Sequence, residues 1–230
     1  MAGTVMHLVV ADRLMDFMKI ENQAYFYCGN LAPDAIMARK NYERDMKRHT
    51  HFKDGIRLHE FRQPDKMNIY MERLMEFFHK YVEREDAHHE IYLGYLTHML
   101  VDELYILHFR DRFVDRLIAE GREPVDMSFW DLFTHDVDQV DLELVGSYGF
   151  RQKLPDYLRI SEEYEIEDYI TSEEILDSKE FIINKNFTKW HVPEELYVMT
   201  LENNLEFIEL CVKEIPVILS ERFGLSGLLK

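Results

Sequence analysis

The sequence predicts an all-α fold. Three observations point there. Apolar residues recur at helical spacing along most of the chain. Nine glycines and six prolines are few for 230 residues, which disfavours a turn-rich β architecture. Only Phe181-Ile-Ile183 offers a short strand-like run. The expectation is a multi-helix bundle, with a small irregular or weakly β segment near residues 145–195.

Taken in order, Leu8, Ala11, Leu14, Met15 and Met18 line one face of a first helix. After Pro64, a second stripe runs through Met67, Tyr70, Met71, Leu74, Met75, Phe78, Tyr81 and Val82. Residues 87–107 form a long, mostly apolar segment, which implies a helix buried on several sides. Gly121 and Pro124 mark one turn, and Gly146 and Gly149 another. A late stripe of Val198, Leu201, Leu205, Ile208, Val212, Ile215 and Leu219 ends near Gly224, with Pro216 kinking the helix or marking its end. The methionines on these faces read as core packing. No internal repeat divides the chain, so residues 1–230 read as one domain. Residues 6–140 carry the chemistry, and 141–230 form a helical C-terminal part without a motif.

An apolar content of 47% with 13% aromatics marks a globular chain. The formal charge of −17 disfavours a nucleic-acid track, because the summed field repels polyanions. It leaves room for a small anionic substrate, since divalent ions gathered by carboxylates dominate their local field. The acidic run Ser161–Asp168 reads as a solvated face. The N-terminal stretch lacks a basic leader, and no run approaches the roughly 18 apolar residues of a membrane span. Two cysteines, Cys28 and Cys211, do not suggest a disulfide framework, and the expected setting is cytoplasmic.

The chemistry is concentrated in residues 91–108, where His98 and Asp102 stand four apart and share one helical face. His108 follows six residues after Asp102. An imidazole and a carboxylate converging within an apolar stretch make half of a zinc site. Elsewhere His7 opens the first helix, Asp34 follows Gly29-Asn-Leu-Ala-Pro33, His49 and His51 bracket Thr50, and His135 and Asp138 stand three apart. Tyr95 lies one turn before His98, and Glu103 adjoins Asp102. His59, His79, His88, His89 and His191 read as solvated or capped side chains.

The blocks Met6-His-Leu-Val-Val-Ala-Asp-Arg-Leu14, Gly29-Asn-Leu-Ala-Pro-Asp34, Thr50-His-Phe52 and Tyr92-Leu-Gly-Tyr-Leu-Thr-His-Met-Leu-Val-Asp102, with His108 beyond, carry a resemblance. The chain resembles the zinc-dependent phospholipase C family over roughly residues 6–140. That resemblance implies a phospholipase C-like helical bundle holding two or three zinc ions. Asp34, His51, His98 and Asp102 would hold one ion, with Asp102 bridging to a neighbour. His108 and His135 with Asp138 would hold a second, and His7 would help hold a third. Asp34 would also be the candidate general base. His51 is preferred to His49 because Thr-His-Phe is the recurring form.

Three departures stand out. Secreted members use a processed N-terminal amino group on the third metal, whereas six residues precede His7 here. Ala35 stands where choline-preferring members carry an aromatic residue, so a cation–π choline box is not supported there. The family has a Glu four residues after its second-site His, where this chain has His135 and Asp138 three apart.

The functional expectation is a metal-dependent phosphoesterase that hydrolyses a small phosphodiester or phosphomonoester with a metal-activated water, a phospholipid head group being the substrate the family suggests. One alternative is a zinc nuclease or nucleotide hydrolase. Another is a non-catalytic helical metal-binding interaction protein, which a closed four-ligand site would favour.

Overall fold

The computed structural model describes residues 2–84, 86–121, 127–147, 154–188, 192 and 194–230, with the side chains of residues 127–130 left out. The protein is all-α: no strand occurs among the described residues, and the only β-type pairings are isolated bridges between Met18 and Leu229 and between Ile166 and Ile170. No described helix is long and apolar enough to cross a membrane.

Two helices form the centre. α5 (His89–Leu104) buries every residue from Ile91 to Leu104, as its nearly uninterrupted apolar sequence requires. α2 (Gln23–Ala35) lies along it and buries every residue from Phe26 to Ala35. Their close crossing depends on Gly29 and Gly94. A methyl group on Gly29 would run into the Ile91 carbonyl, and one on Gly94 into the Phe26 carbonyl. Small residues at such a crossing bring backbones together, and here they set the distance between a main-chain acceptor on α2 and a histidine on α5.

α1 (Thr4–Leu14) packs across α2 and α5 and also against α7 (Met127–Ser147) and α10 (Leu201–Phe223). Its residues Val5 to Asp12 are all buried. The α1 N-terminus has no side-chain cap of its own. Instead the buried Asp141 carboxylate on α7 accepts from the amides of Val5 at 3.0 Å and Met6 at 3.1 Å. This distant acid satisfies two of the helix's orphan donors and favours the positive end of its dipole. Gly3 is required beside it, because a side chain there would meet the Asp141 carboxylate.

The remaining helices surround this centre. α3 (Arg44–Thr50) and α4 (Pro64–Phe77) follow α2, with Pro64 at the first helical position of α4. The π-helical turn Tyr105–Arg110 joins α5 to α6 (Asp111–Ala119). α8 (Leu154–Ile160) and α9 (Ser172–Ile182) pack on α2, and α9 begins with a capping box of Thr171 and Glu174.

The irregular segment expected near 145–195 is present as the non-helical stretch 161–171 with its isolated Ile166–Ile170 bridge, between α8 and α9. Three sequence expectations change or narrow here. Phe181 and Ile182 close α9, and Ile183 continues into a π-helical turn, so the β-branched run is absorbed by helical packing. Pro216 does not end the last helix, which continues to Phe223 and closes on Gly224 at φ 69°. Gly146 marks no turn, since α7 runs through it to Ser147. Gly121 does turn the chain, at φ 80°, whereas Pro124 and Gly149 lie outside the described residues.

Candidate metal centre

Five of the residues singled out from the sequence converge inside the bundle: His7 from α1, Asp34 from the last turn of α2, His51 just beyond α3, and His98 and Asp102 from successive turns of α5. All five are buried. His51 Nε2 lies 3.3 Å from Asp34 Oδ1 and 3.7 Å from Asp102 Oδ2. His7 Nε2 lies 3.6 Å from Asp102 Oδ1, and His98 Nε2 4.0 Å from Asp34 Oδ1. Two ligand atoms at opposite edges of a tetrahedral zinc sphere stand about 3.3 Å apart. These spacings are close to that value and too long for most to be hydrogen bonds.

The polar accounting supports a cation at the centre. Both ring nitrogens of His7, Nε2 of His51 and of His98, and Asp102 Oδ1 are buried without a hydrogen-bond partner. So many orphaned atoms gathered in one buried cluster would be costly in a closed core. Cations accepted by the nitrogen and oxygen lone pairs of the two overlapping groups, His7–His98–Asp102 and Asp34–His51–His98, would satisfy most of them, and a donor set of imidazoles and carboxylates without sulfur suits zinc.

Two of the candidate ligands, His98 and His51, are oriented from behind. The His98 Nδ1 faces the Asn30 carbonyl at 2.8 Å; a carbonyl only accepts, so Nδ1 carries the proton and Nε2 offers its lone pair inward. His51 Nδ1 meets Thr50 Oγ1 at 3.0 Å. Thr50 in turn donates to the Pro33 carbonyl at 2.9 Å and receives the Tyr95 hydroxyl on its own carbonyl. Phe52, the next residue, holds a φ of 57° while its ring packs against Phe77 and Tyr95. This left-handed step is backbone strain placed beside the cluster, and it turns the chain so that His51 points inward.

His7 and His98 stack with ring centroids 3.6 Å apart and planes within 6°. An imidazole lone pair lies in its ring plane. Two parallel rings at this separation therefore cannot both aim at one ion without tilting, and Asp102, facing both His7 and His51, lies between the two directions.

The electrostatics are those of a neutral-imidazole site. Burial pushes His51 down to about 4. Burial and the neighbouring His7 hold His98 well below the ordinary histidine value. Burial works against both carboxylates, but Lys47 with the histidines more than offsets it for Asp34, and Lys53 with His7 and His51 for Asp102. Both acids therefore lie well below the usual carboxylate range.

Asp34 and His51 form part of the wall of a cavity of about 910 Å³, a size suited to a small-molecule ligand. Lys47, Lys53, Arg44 and Arg57 give this wall positive charge, whereas Phe133 and Phe181 contribute an apolar side.

The expected second site does not assemble. His108 is exposed on the π-helical turn. Six residues advance a helix by about 240° relative to Asp102, which carries His108 off the shared face. His135 uses both ring nitrogens elsewhere, on Asp136 at 3.2 Å and on Glu194 at 3.1 Å. Asp138 lines the cavity but is exposed and pairs with Lys185 at 3.1 Å. Among the described residues these three join no potential metal-binding group. His49 is exposed and held by Asp54 and the Asp168 carbonyl, so His51 is the member of the pair that enters the cluster. Glu103 faces away, in a two-pronged ion pair with Arg222 at 2.9 Å on each arm. His79 pairs with Glu83, His88 stacks on Tyr164, and His191 lies outside the described residues, as does Met1.

Sequence reasoning missed Lys47 and Lys53. Lys47 Nζ lies 2.6 Å from Asp34 Oδ1, and Lys53 Nζ 3.3 Å from Asp102 Oδ2. Their signal was the basic flanking of the motif, Lys47-Arg-His-Thr-His-Phe-Lys53, which reads as an ordinary solvated run until both ends turn inward.

No protein-family model matches this chain, and neither a curated protein nor a solved structure matches it.

Proposed function

We propose that the protein is a zinc-dependent phosphoesterase, related in its site to the zinc-dependent phospholipase C family that its motifs resemble. The observation that carries this reading is the buried His7–Asp34–His51–His98–Asp102 cluster, whose unpartnered ligand atoms lie beside a cavity with cationic walls. On this reading Asp34, His51 and His98 hold one ion, and His7 holds another, with Asp102 between them. A bound zinc polarises a phosphoryl oxygen and brings the pKa of a water near about 7.

The chain's own residues supply the rest. Asn30 and Thr50 fix the ring orientations, and Asp34 stands where the cluster meets the cavity. Its Oδ1 is engaged by Lys47 and faces His51, whereas Oδ2 receives the Thr4 hydroxyl at 3.3 Å. That environment suits a ligand and orienting acceptor better than the general base expected from the sequence. The apolar walls accommodate the carbon portion of an ester, and Ala35, buried at the end of α2, supplies no aromatic face for choline. A small phosphate ester in a reducing, cytoplasmic setting fits the two buried, unbonded cysteines.

The nuclease reading is weaker because a chain of charge −17 repels a long polyanion. The non-catalytic reading is weaker because Asp34 and His51 border open volume. Elemental analysis with nitrophenyl phosphate mono- and diesters, before and after chelation, tests the proposal. Activity lost on chelation and restored by zinc supports it; activity indifferent to chelation overturns it.

A further inference from the structure

Lys47 and Lys53 reach the cluster from the cavity side, and both line that cavity. Their side chains are only 18% and 5% exposed. The oxygens that they hold are ones the imidazoles face. Asp34 Oδ1 takes Lys47 and faces His51 and His98. Asp102 Oδ2 takes Lys53 and faces His51. Each ammonium thus sits against a carboxylate oxygen that a bound ion would use.

The charges close without a metal. Two carboxylates and two ammoniums sum to zero, so the metal-free cluster is a neutral buried network. A divalent ion entering it adds two positive charges to a site where uncompensated charge is expensive. Either the lysines move or an anion arrives. Lysine suits the first outcome, because its charge rides on a flexible four-carbon stem and can swing about a fixed backbone. The cavity offers the ammoniums somewhere to go. Three other acids line its wall: Asp138 is engaged by Lys185, Asp141 by the start of α1, and Asp177 is exposed to solvent, while Arg44 and Arg57 add positive charge to the same wall.

We propose that Lys47 and Lys53 are a displaceable pair, neutralising Asp34 and Asp102 in the metal-free protein and turning into the cavity on metal entry to hold a phosphate dianion beside the ion. This deepens the phosphoesterase reading and rests on it. The ligand class is a phosphate group with two negative charges, as in inorganic phosphate or a phosphomonoester, because two ammoniums are released. A phosphodiester carries only one charge to match them.

The exchange makes two opposite demands on one side chain. Removing Lys53 removes a cation that competes with the metal, so zinc alone binds tighter. It also removes an anchor, so phosphate binds the zinc-loaded protein more weakly. Loss of packing or of fold would weaken both. By linkage, phosphate must tighten zinc by the same factor that zinc tightens phosphate.

Calorimetry at micromolar zinc tests this on the full chain with inorganic phosphate, phenyl phosphate and dimethyl phosphate as probes. In the wild type, phosphate and phenyl phosphate are expected to tighten zinc by about tenfold or more, and dimethyl phosphate far less. Lys53→Met and Lys47→Met are each expected to bind zinc more tightly without phosphate and to lose most of that coupling. Lys47→Arg keeps the charge and retains part of it, and Lys53→Gln repeats the measurement if Lys53→Met folds poorly. Variants that bind zinc no more tightly than wild type, or that keep full coupling, overturn the lysine exchange while leaving a zinc-dependent esterase standing. Equal coupling by dimethyl phosphate overturns the dianion assignment. A wild type that takes up no zinc with or without phosphate overturns both the exchange and the esterase reading.

Discussion

His98 Nδ1 donates to the main-chain carbonyl of Asn30 at 2.8 Å, across the crossing of α5 and α2. This contact joins fold to chemistry. It requires two backbones close enough for a ring on one to reach a carbonyl on the other, and it leaves the His98 Nε2 lone pair turned into the buried cluster. Gly29, next to Asn30, and Gly94, one helical turn before His98, create the approach.

Gly94→Ala therefore destabilises the protein and disturbs the site together. Its added methyl meets the Phe26 carbonyl, which is backbone and cannot swing aside. Overpacking of this kind costs about 1–3 kcal/mol or more. Urea unfolding is expected to show that loss, and metal content is expected to fall with it. Gly146→Ala, where a methyl meets open space in α7, serves as control and is expected to be neutral or slightly stabilising.

The two histidines around Thr50 separate by function. His51→Ala lowers metal content and any phosphoesterase activity at least about tenfold, in line with removal of a metal ligand or its orienting partner. His49→Ala changes stability by less than about 1 kcal/mol, because its partners are exposed, and leaves metal content unchanged. Equal effects from the two substitutions would remove the assignment of His51.

The metal-free protein has a pH signature. His51 sits near 4 when folded against an ordinary value of 6.5. Between these values the unfolded chain binds more protons than the native one, so this contribution is full above about pH 6.5 and is lost as pH falls towards 4. His98 acts in the same direction. Asp141 acts oppositely: burial, partly countered by the Val5 and Met6 amides, raises it from 3.8 to about 7, so its contribution is full below 3.8 and is lost as pH rises to 7. The two effects oppose each other between pH 4 and 6.5. Asp141→Asn removes the second, so its stability, measured by urea unfolding on chelated protein, is expected to fall more steeply than the wild type's on acidification through that range. A flatter profile in the variant would contradict the assignment.

The helical class and the central helix were legible because their signal is local. The mostly apolar run at 91–107 implies burial on several sides, and His98 with Asp102 shares a face by spacing alone. The blocks around His7, Asp34 and His51 each hold one member of the cluster, and the resemblance ordered them. His108 and His135 were misplaced because their positions depend on tertiary geometry. A π-helical turn and an off-face spacing carry His108 outward, and the 194–199 segment, anchored on Asp136 through the amides of Tyr197, Val198 and Met199, gives His135 its partner Glu194. The lysines were illegible for the same reason: nothing local tells a buried ammonium from a solvated one.

Metal stoichiometry of the wild type beside His98→Ala tests the central claim most directly. The His7–Asp34–His51–His98–Asp102 cluster predicts at least one zinc per chain in the wild type and a clear loss in the variant, with its fold retained by circular dichroism. Less than one metal per chain in the wild type, or an unchanged content in His98→Ala, would contradict it.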